Sequence, residues 1–126
     1  MKIEIKISVG ELFDKITILR IKQQRLTNKE QLENVQKELV YLEDRGFYND
    51  PEVNALVDEL QKINELLWDI ENAKRLCEAN KDFDDDFIEL ARQVYIQNDN
   101  RARIKKMINI ITNSDIVEEK EYTNYQ

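Results

Sequence analysis

From Val53 to Cys77, apolar side chains recur every three or four residues: Val53, Leu56, Leu60, Ile63, Leu67, Ile70 and Cys77, with Lys74 breaking the series. That spacing lines one side of a helix and forms the seam along which helices of an antiparallel bundle interlock. Asp50-Pro51 precedes it, an N-cap followed by proline at the first helical position. Little elsewhere in the chain interrupts a helix. One proline and two glycines in 126 residues are too few for the turns of a sandwich or barrel. A chain of this length fits one domain and can bury roughly two-thirds of its unfolded surface. The sequence therefore predicts a single all-α domain over residues 1–126, an antiparallel bundle of about four helices.

One segment departs from helical spacing. In MKIEIKI, residues 1–7, Ile3, Ile5 and Ile7 alternate with Lys2, Glu4 and Lys6, which predicts a short N-terminal β-strand. A lone strand is not stable. Its expected partner is the tail around Asp115–Tyr122 or the same strand of a second subunit.

Ser8-Val9-Gly10-Glu11 reads as a capping box opening a first helix to about Leu26, with Leu12, Ile16, Leu19 and Leu26 as its main stripe. Ile18 and Ile21 lie on the far side, so this helix is expected to be central or shared with a partner. Asp14 and Thr17 flank that second face. Thr27-Asn28-Lys29-Glu30 predicts the next start, with stripe Leu32, Val35, Leu39 and Leu42 and a stop at Gly46. The third helix runs from Pro51 to about Ala79, the fourth from about Asp84 towards Thr112.

Bulk chemistry excludes several functions. With 19 basic and 26 acidic residues the net charge is -7, and the cations are interspersed with acids, so no nucleic-acid partner is expected. Without histidine, imidazole catalysis and His-ligated zinc are excluded within one chain. The single cysteine, Cys77, allows no internal disulfide and suits a reducing, cytoplasmic setting. No apolar run approaches the roughly 18 residues of a membrane span. Asp82, Asp84 and Asp86 imitate the start of a calcium loop, but Phe87 and Gln93 stand where that loop needs Gly and Glu. They read as acids at a helix start, where the helix dipole favours them.

The informative residues lie on the fourth helix. Phe87, Leu90 and Val94 define a line that Asn98, Arg101 and Lys105 continue at about 100° per residue. Either the helix breaks at Asn98-Asp99-Asn100, or it runs straight and aims a polar patch into the bundle. A buried cation without a partner costs several kcal/mol, so Arg101 requires an acid, a carbonyl or a bound anion. Asp14, Asp69 and Glu71 are the candidate acids. On the third helix Asn64, Trp68, Glu71 and Arg75 form a mixed line beside the apolar seam. Three readings follow: a salt-bridge layer that fixes helix register, a cleft where Arg101 and Lys105 hold a phosphate or carboxylate, oriented by Asn64 and Asn98 against Trp68, or exposure of these side chains to solvent after a kink.

Four blocks in order, VGELFDKITILRIK (9–22), NELLWDIE (64–71), NDNRARIKKMIN (98–109) and VEEKEY (117–122), resemble a family of small uncharacterised bacterial and phage proteins. Its members share V-G-E-L-x-D-K-I-T-I-L, L-W-D-I-E and N-D-x-R-A-x-I-K patterns. The resemblance spans nearly the whole chain and implies no activity. It does pick out Asp14, Lys15, Trp68, Asp69, Glu71, Asn98, Asp99, Arg101 and Lys105. It also includes Glu118, Glu119 and Tyr122, implying a docked tail.

The leading expectation is thus a small cytoplasmic binding or interaction module with a polar interhelical patch for a small anionic ligand. Its candidate residues are Asp14, Lys15, Asn64, Trp68, Glu71, Asn98, Arg101 and Lys105. No cofactor is expected under it. One alternative is a magnesium-dependent enzyme acting on a phosphorylated nucleotide or sugar, with Asp14, Glu65 and Asp69 as metal ligands. The other is a structural assembly subunit. Surplus apolar surface at Ile3, Ile5, Ile7, Ile18 and Ile21 predicts a homodimer.

Overall fold

In the computed structural model, which describes residues 1–45 and 49–126, the chain forms α1 (Val9–Arg25), α2 (Lys29–Glu43), α3 (Pro51–Ala79) and α4 (Asp85–Ile111). The start signals act as the sequence implies, with small shifts. Ser8 caps α1 by accepting from the Glu11 amide, and Asp50 caps α3 through the Glu52 amide with Pro51 at the first position. Glu11 does not close the expected capping box; its carboxylate reaches cations instead. Asn28 caps α2, not Thr27, because its side chain is the one that meets the Gln31 amide. The expected stop at Gly46 lies outside the described residues.

Two helix ends use left-handed residues. After α3, Lys81 takes φ 54° while the Lys81 and Asp82 amides bond the Glu78 and Cys77 carbonyls. After α4, Asn113 takes φ 54° with the Asn113 and Ser114 amides on Ile110 and Asn109. Both are Schellman ends, which satisfy carbonyls the helix leaves open.

Cross-helix pairings give the topology. Gln23 meets Gln36 and Arg20 meets Glu43, so α1 and α2 are antiparallel. Asp14 meets Asn64 and Arg25 meets Asp69, so α1 runs parallel to α3. Asp14 meets Arg101 and Gly10 meets Asn109, so α4 runs against α1. Helix α1 packs against each of the other three. That central position explains its two apolar faces: Ile16 and Leu19 are buried on one, Ile21 on the other. The core joins Phe13, Ile16 and Leu19 to Val35 and Leu39 of α2, Val53, Leu56, Val57 and Leu60 of α3, and Ile104 and Ile108 of α4. Burying Ile21 inside the chain removes one of the surplus residues that argued for a dimer.

The N-terminal strand does not form. Among the described residues there is no strand, and residues 1–7 lie outside α1 with Ile3 77% and Ile5 76% exposed. The reason is the lack of a partner. A strand needs a neighbour for its backbone groups, and the tail that could have supplied one is held on α4 by side chains. No helix is long and apolar enough, among the described residues, to cross a membrane.

Candidate functional site

Helix α4 runs unbroken through Asn98-Asp99-Asn100, so the polar residues that interrupt its apolar line stay on that line. They meet α1 and α3 around one carboxylate. Asp14 is 1% exposed, and its Oδ1 accepts from Arg101 Nε at 2.9 Å and from Asn64 Nδ2 at 2.9 Å. Arg101 Nη2 donates to Oδ2, and Lys105 Nζ stands 3.7 Å from the same oxygen. The guanidinium thus grips Asp14 with two donors, the arrangement its planar fork suits best. Asn64 also donates to Thr17 Oγ1 at 2.9 Å, and that hydroxyl donates to the Asp14 carbonyl at 2.8 Å. Lys105 makes a 2.5 Å bond to Glu11 Oε2.

The electrostatics close on themselves. Burial pushes the Asp14 carboxyl upward, but hydrogen bonds from Arg101 and Asn64 and the charges of Arg101 and Lys105 outweigh it, holding the group below its ordinary value. The Asp14 hydrogen bonds raise Arg101 further. Asp14, Glu11, Arg101 and Lys105 balance two negative charges with two positive ones. Among the described residues, no buried side-chain polar atom lacks a partner. The inner side of Arg101 is therefore filled by the chain's own carboxylate.

Of the residues singled out from sequence, the fold brings Asp14, Asn64, Asn98, Arg101 and Lys105 together; Asn98 accepts from Arg101 Nη1 at 3.4 Å. Lys15 sits outside, on Glu11 at 3.6 Å. Trp68 is half-buried further along α3, and Glu71 is bound to Lys74 at 3.5 Å. The three carboxylates considered for magnesium are engaged separately: Asp14 by Arg101, Asp69 by Arg25 at 2.6 Å, and Glu65 by Gln61 at 3.3 Å. Among the described residues, no group of three acidic or cysteine side chains could hold a metal ion.

A second network extends the first towards the tail. Asn109 is buried, accepts from the Gly10 amide at 2.7 Å and donates to Glu118 at 3.3 Å. Glu118 also accepts from Ser8 Oγ. Burial raises the Glu118 carboxyl, while these bonds and the nearby Lys105 charge bring it below its usual value. Glu119 pairs with Lys106 at 3.2 Å. Asn109 could have been found: Asn98, Arg101, Lys105 and Asn109 step by three, four and four, one face of a helix. No local pattern marks the tail's position against it.

Between α4 and this docked tail lies a groove of about 330 Å³. Arg101, Arg103, Lys105, Lys106 and Lys120 line it, against Glu118 and Glu119. Arg103 bonds the neutral Asn100 at 3.3 Å, and among the described residues no carboxylate pairs with Arg103 or Lys120. Sequence reasoning missed Arg103, Lys106 and Lys120, because the tail completes the groove only in three dimensions.

The model described as "Family of unknown function (DUF6165)" matches residues 1–125. The chain belongs to this family. DUF6165 thus covers both polar networks and the tail to residue 125, and a family of unknown function over nearly the whole chain agrees with the expected membership of an uncharacterised family. No curated protein and no solved structure matches the chain.

Proposed function

We propose that this chain is a small cytoplasmic binding module that accepts an anionic group, a phosphate or a carboxylate, in the groove between α4 and the C-terminal segment. One observation carries the reading: Asp14 and Glu11 answer Arg101 and Lys105, and Glu119 answers Lys106, but among the described residues Arg103 and Lys120 on the groove wall have no carboxylate partner, a local positive excess in a chain whose net charge is -7. Such a surplus concentrates anions, and donors on Arg103 and Lys120 are left to bind one. Arg101 and Lys105 form the inner wall of the groove. Asp14 and Glu11 hold their side chains in place, so ligand binding would not require the long cationic side chains to be ordered first.

The experiment is a thermal-shift and calorimetric series with phosphate, pyrophosphate and citrate, with and without magnesium, at constant ionic strength. A ligand at a hundred times its Kd stabilises by about 2.7 kcal/mol. The double variant Arg103→Glu with Lys120→Glu should lose that gain, whereas Lys62→Glu, on the exposed surface of α3, should keep it. Equal stabilisation of both variants, or of neither protein by any of the three anions, overturns the assignment.

A further inference from the structure

The first seven residues carry a pattern that this chain alone leaves unused. Ile3 and Ile5 stand in solvent and Ile7 is half-buried. The segment borders a groove with Leu12, Tyr41 and Leu42 on α1 and α2. We propose that it pairs with the same segment of a second copy, as an antiparallel two-stranded ribbon centred on Ile5, independently of the anion groove.

The register follows from the side chains. Side chains alternate between the two faces of a strand, so any one-residue slip would set isoleucines of one copy among charges of the other. Among the remaining antiparallel registers, pairing Lys2 with Lys6 sets Glu4 against Glu4, and pairing Ile5 with Ile7 sets Lys6 against Lys6. Like charges directly opposite are unfavourable. Pairing Lys2 with Glu4 avoids this but leaves Ile7 out of the ladder. Centring on Ile5 satisfies every condition. Ile3 then faces Ile7, Ile5 faces its own copy, and Glu4 faces Lys6 twice about the two-fold axis. This is the self-complementarity a symmetric dimer interface requires.

A two-stranded ribbon needs an apolar face to rest on something. Here the isoleucine face would close over the groove bordered by Leu12, Tyr41 and Leu42. Pairing would also satisfy backbone groups along a segment that, among the described residues, forms no strand.

Charge exchange at Glu4 and Lys6 tests the register in the full-length protein by sedimentation velocity. Wild type should sediment as a dimer at micromolar concentration. Glu4→Lys and Lys6→Glu should each weaken the dimer roughly tenfold or more, since both cross-strand pairs become like-charged. The double variant should recover it, and an equimolar mixture of the two single variants should form a mixed dimer. Circular dichroism should stay helical throughout, because residues 1–7 are outside the helices. A monomeric wild type, single variants that dimerise undiminished, or a double variant that fails to recover would each overturn the proposal.

Discussion

A Cβ atom on residue 10 would stand 2.5 Å from the carbonyl oxygen of Lys105, so Gly10 and Lys105 set how closely α1 and α4 approach. That approach lets the Gly10 amide reach Asn109 and places Lys105 on Glu11. Alanine at position 10 would gain at most about 1 kcal/mol in helix propensity. The collision is with backbone, which cannot swing aside. Gly10→Ala should therefore lower stability by about 1–3 kcal/mol net, as overpacking does. Urea denaturation measures it, and a neutral or stabilised variant would show that the two helices do not cross this closely.

Asp14 makes stability depend on pH in a definite direction. Its carboxyl is held lower in the folded chain than in the unfolded one. The stabilisation is therefore complete above the ordinary aspartate value of about 3.9 and is lost as pH falls through the lower folded value. Arg101→Met leaves the buried carboxylate without its main partner and should cost about 3 kcal/mol near neutrality. It should also abolish the Asp14 share of the acid loss, because burial then dominates and raises the folded carboxyl, so that protonation at low pH relieves the uncompensated charge and the cost of the substitution shrinks as pH falls. Denaturation midpoints from pH 3 to pH 7 read both effects. Equal loss at every pH would mean that Arg101 acts by packing alone.

Lys81 occupies a left-handed position that suits glycine. Holding a side chain there costs about 1–2 kcal/mol, and glycine's greater freedom in the unfolded chain returns part of that. Lys81→Gly should raise stability by about 0.5–1 kcal/mol, seen as a higher melting temperature with the same helix content. A fall would indicate that Lys81 contributes more through its ion pair with Glu78 than the backbone loses.

The helices were legible in the chain because caps and apolar spacing are local properties. Ser8, Asp50-Pro51 and the Val53–Ile70 stripe act within a few turns of themselves, and each does what its spacing implies. The need of Arg101 for negative company was equally legible, since its place on an otherwise apolar line follows from helical geometry. What the chain could not specify locally is which acid answers it. Asp14, Asp69 and Glu71 were equivalent in sequence. Only the parallel placement of α1 beside α3, with α4 running back against α1, brings Asp14 to the guanidinium and leaves Asp69 to Arg25.

The same division separates the two ends of the chain. Alternation in residues 1–7 specifies which side chains share a face of a strand, but a strand exists only through a partner's backbone, and tertiary structure provides none among the described residues. Glu118 finds Ser8 from the far end of the chain, while Glu118 and Glu119 fold back onto Asn109 and Lys106 of α4, and that docking builds the cationic groove. Sequence by itself determined the helices and the faces of each, because those depend on spacing along the backbone. Tertiary structure alone decided which faces meet, because that depends on the close fit of Gly10 against Lys105 and on charges brought together from distant positions.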